Sequence, residues 1–328
     1  MVLFPGALGD FICFLPALAK IARARAVDLL ARAEYAGIVS ATVRVDSLER
    51  YEVSRLFSPG AEADGRLRDF FSRYDAVYSW LAATDATFVR SLSRLCRGDL
   101  RCFPFPRGAA LHAADYYARC VGGANAGYGW RELIEVGPAA SAWAQAYAMR
   151  HGLAGKEVLV IAPGSGAREK NWPAAAYAQL ARAWERAARH AAVAVLGPAE
   201  EENAEIARAF ALNERVVRGV SLGEIAALFR LSHVYVGNDS GMTHLAAALG
   251  VPTIAIFGPT DSAVWAPRGP QVRILSLGVE CSPCDYPTMK TCPHRRCLTE
   301  FNAVDEILRV AAELKARDAR PHLDKVVP

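Results

Sequence analysis

Hydrophobic positions in this chain fall into short unbroken runs, separated by glycine-rich turns and longer amphipathic segments. In the second half, Val158–Ala162, Ala192–Leu196, Val234–Gly237 and Thr253–Phe257 are apolar throughout. Runs of this length without polar alternation predict strands buried on both faces. The segments between them carry helical spacing. Pro173–His190, with Trp172 just before it, puts Trp172, Tyr177, Leu180 and Trp184 roughly on one side. Glu200–Ala211 and Thr243–Leu249 read as helices, and Ser221-Leu222-Gly223-Glu224 fits a capping box opening a helix through Leu231. Strands alternating with helices predict a parallel sheet covered on both faces.

The first half begins in the same manner. Val2–Phe4 reads as a strand, Pro5-Gly6-Ala7-Leu8-Gly9 as a turn, and Asp10 leads into a helix toward Ala26. Asp75–Trp80 reads as a further strand, Ala109–Cys120 and Ser141–His151 as helices, and Gly122–Gly137 as irregular. Gly152–Gly155 is the natural boundary. The predicted fold is α/β, with two doubly wound Rossmann-like domains facing across a cleft. They span residues 1–152 and 153–302, followed by an amphipathic helix at Val304–Ala316, within 303–328, that is predicted to pack back on the N-terminal domain. Ligands of such sheets sit at the carboxyl ends of the strands.

Length agrees with this division, since 328 residues suit two domains of about 150 each. With 52% hydrophobic and 22% charged residues, long disordered stretches are excluded. A net charge of +4 is too thin a basic excess for a nucleic-acid partner. Ser240–Thr260 lacks Asp, Glu, Lys and Arg and is long enough to span a membrane. Gly250-Val251-Pro252 interrupts it, so a buried helix, a turn and a buried strand are expected instead. The apolar run Phe11–Ala19 follows an acid and has its positive charges after it, unlike a secretory signal. A cytoplasmic protein is expected, with room for peripheral contact at the inner membrane.

The candidate chemistry lies in the turns. Gly6-Ala7-Leu8-Gly9-Asp10 places an acid at a helix start, either as an ordinary N-terminal residue or as a general base in the cleft. Pro163-Gly164-Ser165-Gly166 with Lys170 offers N–H groups, a hydroxyl and an ammonium, the parts of a phosphate site without Walker spacing. Gly237-Asn238-Asp239-Ser240-Gly241-Met242-Thr243-His244 follows a strand and opens a helix, and Thr260 lies after the next strand on the same edge. Glu200, Glu201 and Glu202 either complement a helix dipole or supply a carboxylate for a ribose. Of the eight cysteines, Cys281, Cys284, Cys292 and Cys297 are clustered with metal-ligand spacing. They read either as a structural zinc or iron site or as reduced thiols in a loop.

Taken in order, G-A-L-G-D, P-G-S-G-A-R-E-K-N-W-P and G-N-D-S-G-M-T-H-L-A-A-A-L-G-V-P-T-I-A-I-F-G-P-T-D resemble glycosyltransferase family 9, the ADP-heptose:lipopolysaccharide heptosyltransferases. The resemblance covers most of Val158–Phe301 and the first twenty or so residues. It fades from about Val27 to Gly155. It implies the GT-B architecture, with a nucleotide-sugar donor on the C-terminal domain and an acceptor on the N-terminal one. By the same resemblance Asp10 is the catalytic base, and Ser165 and Lys170 clamp the diphosphate. Asp239, Ser240, Gly241, Met242, His244 and Thr260 form the donor loops, and Glu202 is the choice for the ribose contact.

The implied activity is inverting transfer of a heptose or similar sugar from an ADP-sugar to a lipopolysaccharide-core or related glycan acceptor. No Asp-x-Asp pair is present, and no cofactor is expected for catalysis. The alternatives are a nucleotide-sugar epimerase or hydrolase and a non-catalytic nucleotide-sugar binding protein on the same fold.

Overall fold

The computed structural model describes residues 1–105, 111–123, 129–211 and 215–318. Among these, two fully parallel sheets divide the chain. The first contains β1 (Val2–Leu3), β2 (Val27–Ala31), β3 (Val43–Ser47), β4 (Ala76–Ser79) and β5 (Asp99–Cys102), in the order β3-β2-β1-β4-β5. The second contains β6 (Glu157–Ala162), β7 (His190–Val195), β8 (Val216–Val217), β9 (Val234–Asn238), β10 (Thr253–Ile256) and β11 (Val272–Leu275), in the order β11-β10-β9-β6-β7-β8. The expected α/β class with two doubly wound sheets is therefore present. Sequence reading missed the interior strand β2 and the edge strands β3, β5, β8 and β11; β3 and β5 carry Arg44, Asp46, Asp99 and Arg101 on positions facing water and so do not read as apolar runs.

The helix Leu8–Ala24 places Phe11, Phe14, Leu15, Leu18 and Ile21 at helical spacing and buries them. It lies against the helices Ala113–Cys120 and Gly241–Ala248. One apolar cluster runs unbroken from Val2, Phe4 and Phe11 to Val160, Tyr235 and Leu245, joining the two sheets. The outer face of the first sheet has its own core around Leu3, Leu56, Phe71 and Phe88. The outer face of the second is covered by Trp172, Tyr177, Leu180 and Trp184. The uncharged run Ser240–Thr260 is a buried helix, a glycine turn at Gly250 with φ 79° and the buried strand β10. Among the described residues no helix is long and apolar enough to cross a membrane.

One expectation is overturned. The helix Val304–Ala316 packs on the second sheet, beside the helix Ala174–Trp184 and against β9 and β10, not on the N-terminal domain. Its apolar stripe of Ile307, Val310, Ala311 and Leu314 completes the cover of that sheet, and Lys315 pairs with Glu157 at the base of β6. The sheet face that would otherwise be left wet decides the docking. The helix expected at Ala109–Cys120 begins at Ala113, capped by His112, and its first two expected residues lie outside the described residues.

Candidate functional site

The strand order of the second sheet reverses around β6, whose neighbours are β9 and β7. The crevice at such a switch point is where loops from adjacent strands part and leave room for a ligand. Here the loop after β6 (Pro163–Asn171) and the loop after β9 (Asp239–Ser240) flank it, with the loop after β10 (Phe257–Asp261) beside them. Asn238 ties the first two together. Its Oδ1 accepts from the Trp172 N–H at 2.8 Å and the Tyr177 hydroxyl at 2.9 Å, while its Nδ2 donates to the Pro163 carbonyl at 2.8 Å. Trp172 is anchored in turn by its indole N–H donating to the Phe301 carbonyl at 2.8 Å.

On this frame Lys170 Nζ donates to Asp239 Oδ2 at 2.8 Å, and the Thr260 hydroxyl donates to the same oxygen at 2.7 Å. The Lys170 side chain remains about a quarter exposed while its ammonium pairs with the carboxylate. Ser240 caps the helix Gly241–Ala248, accepting from the Thr243 N–H. The earliest N–H groups of such a helix have no acceptor four residues back within it, and a helix start of this kind favours an anion.

Asp10 approaches from the other sheet, in the first turn of the helix Leu8–Ala24. Burial raises its carboxyl to about 6, against the opposing pull of the Lys170 charge and of hydrogen bonds from Tyr117 and the backbone at Ala7. The two helix starts touch closely. A Cβ on Gly241 would lie 2.6 Å from Leu8 Cβ and 2.9 Å from the Gly9 nitrogen, so a side chain there would push the two halves apart. Glycine is required at this position for close approach.

Other expected residues occupy different places. Ser165 turns inward, its hydroxyl 2.7 Å from the Ala167 carbonyl and 2.6 Å from Asn171 Oδ1 with one proton shared between them, and so braces the loop. His244 is buried, its Nδ1 3.6 Å from Cys13 Sγ, and burial lowers its value to about 4, keeping the ring neutral. Met242 packs against the shared core. Glu202 is exposed at a helix end, whereas Glu200 bonds the Gly197 N–H at 2.9 Å and stands over Gly164 at the crevice.

The structure gives the cysteine cluster no support as a metal site. Among the described residues no group of three or more His, Cys, Asp and Glu side chains is arranged to hold one. Cys281 is exposed and Cys297 is buried toward the second core, while Cys284 donates to the Cys281 carbonyl and Cys292 lies beside His294. The expected structural zinc or iron is thus unsupported.

Sequence reading missed the contacts that cross between the halves. Arg268 grips Asp115 with both terminal guanidinium nitrogens, Nη1 at 2.5 Å and Nη2 at 2.7 Å. His112 Nδ1 accepts from the Ala114 N–H, which leaves its proton on Nε2 to donate to the Ala266 carbonyl at 2.8 Å. These partners lie more than a hundred residues apart, and no local pattern signals them. Asn238 was within reach of such reading, as a lone amide ending an apolar strand.

Residues 131–293 match the model of glycosyltransferase family 9 (heptosyltransferase). Lipopolysaccharide heptosyltransferase 1 of Pseudomonas aeruginosa is 31% identical over 141 residues, 43% of this chain and 39% of that one. The chain spans less than half the length of the first curated relatives it matches, 39% and 48%. Among solved structures, a family 9 glycosyl transferase from Veillonella parvula DSM 2008 superposes with a TM-score of 0.75 at 20% identity, covering 97% of both chains. E. coli heptosyltransferase WaaC with ADP superposes with a TM-score of 0.61 at 21% identity, covering 94% of this chain and 98% of that one. These structures share the fold, two facing Rossmann-like domains. By its matching sequence and its architecture, the chain belongs to glycosyltransferase family 9.

Proposed function

We propose that this protein is an inverting glycosyltransferase that moves a heptose or similar sugar from an ADP-sugar to a lipopolysaccharide-core or related glycan. The observation that carries the reading is the meeting of a desolvated carboxylate, Asp10, with the Lys170–Asp239–Thr260 group across two domains. A relative of the same fold is known with ADP, and the matched curated relatives are lipopolysaccharide and lipooligosaccharide heptosyltransferases, which supports the donor and acceptor classes.

Asp10 removes the proton of the acceptor hydroxyl as that oxygen attacks the anomeric carbon. A base with a value of about 6 is mostly ionised at neutral pH yet accepts a proton more readily than an ordinary carboxylate. The anomeric carbon–oxygen bond breaks, and the electron pair leaves on the diphosphate. Lys170 and the N-terminus of the helix Gly241–Ala248 face that growing charge and stabilise it electrostatically. Asp239, the carboxylate whose charge acts on Asp10, is already engaged by Lys170 and Thr260 and is poorly placed to act as a nucleophile. A single displacement with inversion follows. In the nucleotide pocket, Glu200, which stands over Gly164, is better directed toward a ribose than the exposed Glu202.

A transfer assay with ADP-heptose, other nucleotide sugars and lipopolysaccharide-core acceptors tests the proposal. Transfer dependent on both donor and acceptor, lost in Asp10→Ala, is expected. Donor turnover without an acceptor would mark a hydrolase or epimerase, and donor binding without turnover a non-catalytic binding protein.

A further inference from the structure

Tyr117 lies in the middle of the helix Ala113–Cys120, with none of its surface exposed. Its ring is held by Phe4 at 5.5 Å, Phe14 at 5.7 Å and Trp80 at 6.2 Å between centroids. The phenol is the polar tip of an otherwise apolar wall, and buried hydroxyls of this kind take a defined partner. That partner is Asp10, whose Oδ1 accepts from the Tyr117 hydroxyl at 3.5 Å. The helix cannot slide easily, because its start is fastened by His112 to the Ala266 carbonyl and by Asp115 to Arg268.

We propose that Tyr117 is a positioning residue that holds Oδ1 of Asp10 and turns the other carboxylate oxygen toward the acceptor hydroxyl. The proposal rests on the reading of Asp10 as the base. Burial and the neighbouring carboxylate push the phenol well above its ordinary value, so it stays protonated and acts as a donor alone. A donor to one oxygen favours the ionised carboxylate, and it fixes which oxygen is free to accept a proton. Tyr117 touches neither substrate in this role; it acts through Asp10.

The test compares Tyr117→Phe, which keeps the ring and its packing, with the full-length wild type. Selective 13C labelling of aspartate carboxyls, with the Asp10 signal identified by its loss in Asp10→Asn, follows the titration without turnover. The Asp10 midpoint is expected to rise by about 0.4 to 1 on the pH scale, the equivalent of one net hydrogen bond. In the transfer assay the acidic limb of kcat/KM should rise equally, and kcat at neutral pH should fall about three- to tenfold with the donor KM unchanged. A midpoint that does not move overturns the proposal, since packing alone leaves the titration where it was. If Asp10→Ala is inactive while Tyr117→Phe keeps the wild-type limb and kcat, the positioning role fails and the base stands. If Asp10→Ala keeps full activity, the base reading itself fails.

Discussion

Asp10→Asn should make the protein more stable as it removes activity. Burial lifts the Asp10 carboxyl from 3.8 to about 6. The folded state therefore binds this proton more tightly than the unfolded chain does. Wild-type stability carries no penalty below the unfolded value, falls as pH rises through the interval between the two, and carries the full penalty above 6. The difference in values corresponds to about 3 kcal/mol at pH 8 and about 1.5 kcal/mol at pH 5. Asparagine does not titrate, so the variant avoids the term. Its advantage over wild type should grow by about 1.5 kcal/mol between pH 5 and pH 8. Denaturant unfolding of both proteins across that range, with slope and midpoint fitted at each pH, measures this directly. An advantage that is independent of pH, or a wild type that is the more stable at pH 8, would refute the claim that desolvation dominates at Asp10. The expectation follows the general pattern in which a reactive group is held in an environment that its ionised form disfavours.

Lys170→Ala should weaken ADP binding about tenfold to a hundredfold, the range for charge-assisted hydrogen bonds, as read by calorimetric titration; unchanged affinity would remove Lys170 from the diphosphate site. Arg268→Ala leaves the Asp115 carboxylate, only 17% exposed, without its bidentate partner, and should cost about 2 kcal/mol in denaturant unfolding; a loss below a few tenths would mean that the pair does not fasten the two halves. Gly241→Ala should cost about 1–3 kcal/mol and reduce transfer, because the added methyl meets Leu8 and the Gly9 backbone across the contact between the helix starts; a variant with wild-type stability and activity would show that this approach relaxes freely.

The local patterns of this chain determined a good deal. Apolar runs bounded by glycine and proline located the buried strands β6, β7, β9 and β10, because a strand covered on both faces must be apolar at every position. The turn residues located the loops at their carboxyl ends, and with them Asp10, Lys170, Asp239 and Thr260. Tertiary structure decided what each of these does. Ser165 stands in the phosphate-like loop, yet its hydroxyl closes that loop on Asn171. Three adjacent glutamates are alike in sequence, and only the path of the chain past Gly164 sets Glu200 apart from Glu202. The helix Val304–Ala316 is amphipathic wherever it docks, and the uncovered face of the second sheet selected its place. Cysteines at metal-ligand spacing read either as a metal site or as free thiols, and among the described residues no metal-holding group is arranged. Hydropathy and turn chemistry act between near neighbours and are legible one residue at a time. The Tyr117–Asp10 bond joins residues more than a hundred positions apart and exists only once two helices of the first half have packed, while the Arg268–Asp115 grip and the Gly9–Gly241 approach exist only once both sheets have formed and a shared core has closed between them.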